Sequence, residues 1–116
     1  MFLKLNHKNL DVYKHSIEFT IQAYAAAKQL PTDERFNMIQ QIRRAALSVT
    51  LNISEGASRK SALERKRFFE ISRSSLVEVD TAFEVANRLN YLTNINTESL
   101  NKSVNKVFSM LSVMLR

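Results

Sequence analysis

Between residues 59 and 73 the chain carries Arg59, Lys60, Arg65, Lys66, Arg67 and Arg73 against only Glu64 and Glu70. Clustered guanidinium and ammonium groups bind phosphates through charge-assisted hydrogen bonds. Here they sit where a helix begins, because Ser61 and Glu64 in S-A-L-E form a capping box. The first turn of a helix adds unbonded backbone N–H groups and positive potential, which suits a polyanion. Exposed cations in that turn cost about 0.3–1 kcal/mol each, so stability alone does not place them there. From Ser74 to Asn87 the balance reverses, with Glu78, Asp80 and Glu84 and no base. A second reading stays open, in which the charges only pair or solvate a surface. Lys66 and Glu70 are spaced i, i+4, Glu70 and Arg73 i, i+3, and Arg44 can meet a carboxylate inside a bundle. If the second and third helices fold back about residue 58, Arg43 and Arg44 come level with Ser72 and Arg73 and extend the basic surface. No aromatic residues interleave with the exposed bases, which argues against single-strand recognition by stacking.

Other chemistries find little material. His7 and His15 are the two histidines, and neither stands three residues after a glutamate, as the helical di-iron motif requires. No metal site is expected, and one glycine cannot build a phosphate-binding loop. Ser54 and Ser58 lie near a turn with no base beside them, so capping is their expected role. The expectation is a protein that is no enzyme and carries no cofactor. A net charge of +6 favours polyanionic or acidic partners.

The elements that must hold the basic stretch follow from composition and spacing. One glycine and one proline in 116 residues leave little for β-turns, so long helices are expected. Cysteine is absent, which fits a reducing compartment. The start, MFLKLNHKNL, does not read as a secretory signal, and no run approaches the ~20 apolar residues of a bilayer span. A cytoplasmic protein without membrane attachment is expected.

Four helical segments emerge, over about 10–30, 33–55, 61–91 and 97–115. The first has Leu10, Tyr13, Ile17, Ile21 and Tyr24 at steps of three and four, and Pro31 ends it. Thr32 is the expected cap of the second, whose stripe is Phe36, Ile39, Ile42, Ala46, Val49 and Ile53. Gly56 is expected to close that helix in the left-handed conformation, with the turn at residues 56 to 60. The third helix faces inward with Phe68, Ser72, Leu76, Val79, Phe83 and Ala86. The fourth does so with Leu100, Val104, Val107, Leu111 and Met114. Short connections make neighbours antiparallel, giving an all-α, up-down-up-down four-helix bundle over residues 1–116. Leu47 and Leu51 add a second apolar side to the second helix. That side is either sunk in the chain's own bundle or a self-association surface.

Residues 40–92 resemble a known family. The motif Q-L-R-R-A-A, S-V, N-I-A-E-G, a basic stretch ending in S, E-x-x-R-F, S-L-x-E and L-G-Y-L is met by Gln41, Arg43, Arg44, Ala45, Ala46, Ser48, Val49, Asn52, Ile53, Glu55, Gly56, Arg59, Ser61, Glu64, Arg67, Phe68, Ser75, Leu76, Glu78, Tyr91 and Leu92. It is the pattern of the bacterial four-helix-bundle proteins encoded in intervening sequences of 23S ribosomal RNA genes. The chain is also similar to their relatives, the accessory variability proteins of diversity-generating retroelements. Ser54, Ala57, Ser58, Ser74 and Asn90 depart from the pattern, mostly where alanine, an aromatic or glycine is usual. The resemblance implies a non-enzymatic bundle assembling into a ring-like homopentamer with a basic surface. In the retroelement relatives it implies contact with nucleic acid and a reverse transcriptase. Two functions follow as alternatives: a nucleic-acid-binding accessory protein, RNA ahead of DNA, or an oligomeric scaffold that binds none. A helix-turn-helix about Gly56 is disfavoured, because the third helix is too long and keeps its apolar stripe throughout.

Overall fold

A computed structural model describes residues 2–116 and consists of four α-helices with short 3₁₀ turns. They are α1 (Asp11–Lys28), α2 (Met38–Ala57), α3 (Ala62–Arg88) and α4 (Glu98–Met114). The neighbouring pairs are α1 with α2, α2 with α3, α3 with α4 and α4 with α1, so the helices stand at the corners of a square. This is the antiparallel up-down-up-down bundle that the short connections require. The 27 residues of α3 span about 40 Å, most of the molecule's 44 Å long axis. Helix α4 runs out opposite Glu70, where Leu115 shares a cleft with Glu70 and Arg73, so the first two turns of α3 extend past it. No helix among the described residues is long and apolar enough to cross a membrane.

Hydroxyl groups set how α2 packs on both neighbours. Toward α1, the Thr20 hydroxyl donates to the Ala46 carbonyl at 2.9 Å and the Thr50 hydroxyl to that of Ser16 at 3.0 Å. Toward α3, Ser72 donates to the Val49 carbonyl at 2.7 Å, and the hydroxyls of Ser48 and Ser75 lie 2.9 Å apart. Such side chains are short enough to bring two backbones together while satisfying their own polar atoms.

This packing corrects the expected face of α1. Its buried residues are Val12, Ser16, Phe19, Ala23, Ala26 and Ala27, whereas Ile17 and Ile21 face solvent and Tyr13 and Tyr24 are half-buried. Ser16, Ala23, Ala26 and Ala27 share the inner side with Val12 and the fully buried Phe19, so the expected stripe of Leu10, Ile17 and Ile21 is the outer one. Phe36 is also outside the core, at 79% exposure, because residues 32–34 form a 3₁₀ turn and α2 begins only at Met38. Thr32 makes no side-chain cap there. In α3 the core position belongs to Phe69, and Phe68 is half-buried. In α4, Leu100, Val107 and Leu111 are buried, Val104 partly so, and Met114 is exposed.

The expected role of the glycine is not met. Gly56 is buried inside α2 without a positive φ, and the turn falls after Ala57. A β-carbon there would lie 2.8 Å from Phe69 Cε1 and 3.0 Å from Phe68 Cβ, so the residue is small because α3 crosses close against it. The left-handed residue is Asn90, with φ of 63°. It closes α3 in a Schellman motif: Tyr91 N–H donates to the Ala86 carbonyl at 2.9 Å and Asn90 N–H to that of Asn87 at 3.0 Å. Tyr91 then donates its hydroxyl to Glu34 Oε2 at 3.1 Å, tying this end to the α1–α2 connection. The hydrogen bond to that carboxylate raises the phenol pKa above its usual value. Ser61 caps α3 as expected, accepting from Glu64 N–H at 3.2 Å. Asn96, rather than Thr97, accepts the Glu98 N–H at 3.0 Å at the start of α4.

Two stability outcomes follow. Gly56→Ala gains helix propensity, roughly 0.5–1 kcal/mol, but forces a methyl into the buried Phe69 ring, an overpacking cost of about 1–3 kcal/mol. Net destabilisation is expected, read as a lower urea midpoint, and Phe69→Leu in the same chain should recover part of it. At the left-handed position, Asn90→Gly should hold or raise the thermal midpoint, and Asn90→Ala should lower stability by about 1 kcal/mol.

Candidate nucleic-acid interface

The basic end is built where α2 stops and α3 starts. Ser58 closes α2, Ser61 opens α3, and the connection between them carries Arg59 and Lys60. Arg65 is the residue that shapes it: its Nη1 donates to the carbonyls of Arg59 at 3.0 Å and Lys60 at 2.6 Å. That side chain is half-buried and committed to the loop. Arg59 pairs with Glu55 one helical turn earlier, and its guanidinium lies over the Phe68 ring at 5.0 Å from the centroid. Lys60, Lys66 and Arg67 are exposed. None of the three has a carboxylate within ion-pair distance among the described residues, where the pairs formed are Glu55–Arg59 and Glu98–Lys102.

The remaining predicted bases stand elsewhere. Arg73 is half-buried on the side of α3 toward α4, with its guanidinium 4.6 Å from the Phe108 centroid. Arg43 is exposed and lies over Tyr24 of α1 at 5.6 Å. Arg44 is exposed and makes no internal carboxylate pair, and the expected Lys66–Glu70 and Glu70–Arg73 pairs do not form. The expected level of Arg43 and Arg44 is also corrected. Ser72 meets Val49, Ser75 meets Ser48, and Gln41 Nε2 donates to Glu78 at 3.2 Å, so Arg44 lies between the levels of Ser75 and Glu78. Because α2 continues through Gly56, the fold-back centre moves toward Lys60 and the register slides. The structure therefore gathers Arg59, Lys60, Lys66 and Arg67 about the helix N-terminus, ties Arg65 beneath them, and leaves Arg43, Arg44 and Arg73 apart.

Leu47 and Leu51 lie on the solvent side of α2, 41% and 56% exposed, so they are not sunk in the chain's own bundle. Ile17 and Ile21 of α1 and Ile71 of α3 are exposed as well. The bonds from Thr20 and Thr50 across α1 and α2, and from Ser72 to Val49, put these residues at similar levels along the bundle.

The model of the family described as 23S rRNA-intervening sequence protein matches residues 8–113. The chain belongs to that family. The match runs from before α1 to the last turn of α4, so the family pattern and the bundle coincide. A solved structure from Bacteroides thetaiotaomicron, a protein with unknown function from the S23 ribosomal protein family, has the same fold. The two share 24% identity at a TM-score of 0.81, over 90% of this chain and 98% of that one. No curated protein matches the chain.

Sequence reasoning missed the arginine–aromatic stacks of this family member. Arg59 and Phe68 are nine residues apart across a turn, and Arg73 and Phe108 lie on different helices, so no periodicity joins them. The role of Arg65 was equally hidden among its basic neighbours. Arg65→Gln should lower stability by about 1 kcal/mol, because two hydrogen bonds to loop carbonyls go with the guanidinium, measured by chemical denaturation. Lys66→Gln, which removes only an exposed charge, should stay within about 0.5 kcal/mol of the parent.

Proposed function

We propose that this protein is a non-enzymatic, cytoplasmic nucleic-acid-binding accessory protein, directed to RNA ahead of DNA. It binds through phosphates and acts as a homo-oligomer. The observation that carries the reading is the set of exposed, carboxylate-free cations Lys60, Lys66 and Arg67 around the N-terminus of α3. Their charge, from the connection at Lys60 and the first turns of α3 at Lys66 and Arg67, adds to the positive end of the helix dipole, so an anion supplies the partners they lack. Membership of a family named for ribosomal RNA intervening sequences fits an RNA ligand. The likeness to accessory variability proteins adds a reverse transcriptase as a protein partner in the same proposal. Phosphate binding of this kind carries little sequence information.

Exposed Leu47 and Leu51 support self-association, and the pentamer is the assembly that the family resemblance favours. An oligomer repeats the basic end several times, so modest interactions add into avidity. The same leucine pair also favours the second reading, an oligomeric scaffold whose charge serves only solubility.

Salt dependence separates the two. Each cation removed from a phosphate should flatten the slope of log K against log salt by about 0.7 for a single strand. The triple variant Lys60→Gln, Lys66→Gln, Arg67→Gln should bind more weakly across unrelated sequences, with its slope reduced by about two. Unchanged binding at low salt would hand the lead to the scaffold. Leu47→Asp with Leu51→Asp should convert the assembly to monomer by sedimentation equilibrium while the helical circular dichroism persists. A parent protein already monomeric at tens of micromolar would refute self-association.

A further inference from the structure

The sequence argued against stacking on bases because no aromatic residue interleaves with the cations, but folding brings the two together. Four arginines lie over aromatic rings: Arg35 on Phe36 and Arg73 on Phe108 at 4.6 Å, Arg59 on Phe68 at 5.0 Å, and Arg43 on Tyr24 at 5.6 Å.

One of the four opens onto a cleft. Between α3 and α4 a hollow of about 240 Å³ is lined by Glu70, Arg73, Ser74, Val77, Phe108 and Leu115. Phe108 is a large aromatic left 37% exposed on α4. Arg73 and Glu70 both line the hollow, yet they form no ion pair, and Arg73 Nε is buried without an acceptor. The cleft thus combines a flat guanidinium and aromatic wall, the aliphatic sides of Val77 and Leu115, free donors on Arg73, and acceptors on Glu70 and Ser74. A planar heterocycle whose edge carries both donors and acceptors matches that set. Lys66 is exposed two turns before Arg73 on the same side of α3, within reach of a phosphate on the chain that bears such a ring.

We propose that the Arg73–Phe108 cleft receives one unpaired nucleobase, so that the polyanion at the basic end is single-stranded. The inference rests on the phosphate-binding reading and adds to it the strandedness of the ligand. A base inside a duplex has its edge paired and its faces covered by neighbours, and it cannot enter. Base–arginine and base–aromatic stacking is insensitive to sequence, in keeping with phosphate binding that is insensitive too.

The test uses a short unstructured RNA, alone and annealed to its complement, with binding followed by fluorescence anisotropy at one salt concentration. The parent should bind the single strand about tenfold more tightly than the duplex. Phe108→Leu removes the aromatic face, Arg73→Lys keeps the charge without the plane, and Ser74→Phe plugs the mouth from an exposed position. Each should abolish the preference and leave duplex binding unchanged. Ser74→Phe decides the matter if Phe108→Leu is unstable. Equal binding of the two RNAs by the parent, or a preference that survives in Ser74→Phe and Arg73→Lys, overturns the base site. The triple glutamine variant should weaken both ligands together. If it binds both as the parent does, the phosphate reading falls independently of the cleft.

Discussion

The register of α2 is the constraint on which the rest of the molecule depends, and hydroxyl groups hold it. Thr20 and Thr50 on one side and Ser72 and Ser48 on the other each meet a partner across a helix interface. The bonds from Thr20, Thr50 and Ser72 run to backbone carbonyls inside helices, which have a second lone pair to offer, so they add attachment without withdrawing a bond from the ladder. They demand close approach, and close approach demands small residues, which is why Ala23, Ala26, Ala45, Ala46 and Gly56 are buried together with them. Once α2 is fixed, its outer side is fixed too, and Arg44, Leu47 and Leu51 have nowhere to turn but solvent.

The fold was legible in the sequence because helix number and order depend on long-range apolar periodicity and on one capping signal, Ser61 with Glu64. Interior positions of α2 and α3 such as Ile42, Val49, Ile53, Leu76 and Val79 were legible for the same reason. The face of α1 was not, since beside Val12 and Phe19 it packs through one serine and three alanines, and a count of bulky residues picks the outer side instead. Gly56 misled because a glycine near a helix end fits both a left-handed closure and a close crossing, and only the position of Phe69 decides between them. The left-handed closure occurs at a different helix, α3, where Asn90 is a side chain that tolerates positive φ at small cost, while α2 ends at Ser58 without one.

The candidate interface was legible as composition and illegible as arrangement. Six bases between residues 59 and 73 announce a charged region, but their division of labour depends on which way each side chain leaves the helix. Arg65 turns back to bind the loop carbonyls, Arg73 turns toward α4, and Lys66 and Arg67 remain outside. A shift of the fold-back point by a few residues was enough to part Arg43 and Arg44 from the others. Charge, in this bundle, is distributed by the same register that distributes the core.

The unequal lengths of α3 and α4 bear on motion. Where α3 extends past the end of α4, its first two turns lack the lateral support that the rest of the helix receives from that neighbour. Thinner packing means a lower free energy of local opening. The end that gathers like charge is thus less supported than the middle of α3, and its backbone amides are expected to exchange for deuterium sooner than those near Leu76. An anion seated among Lys60, Lys66 and Arg67 would relieve the repulsion and slow that exchange, so occupancy and order at this end of the bundle rise together.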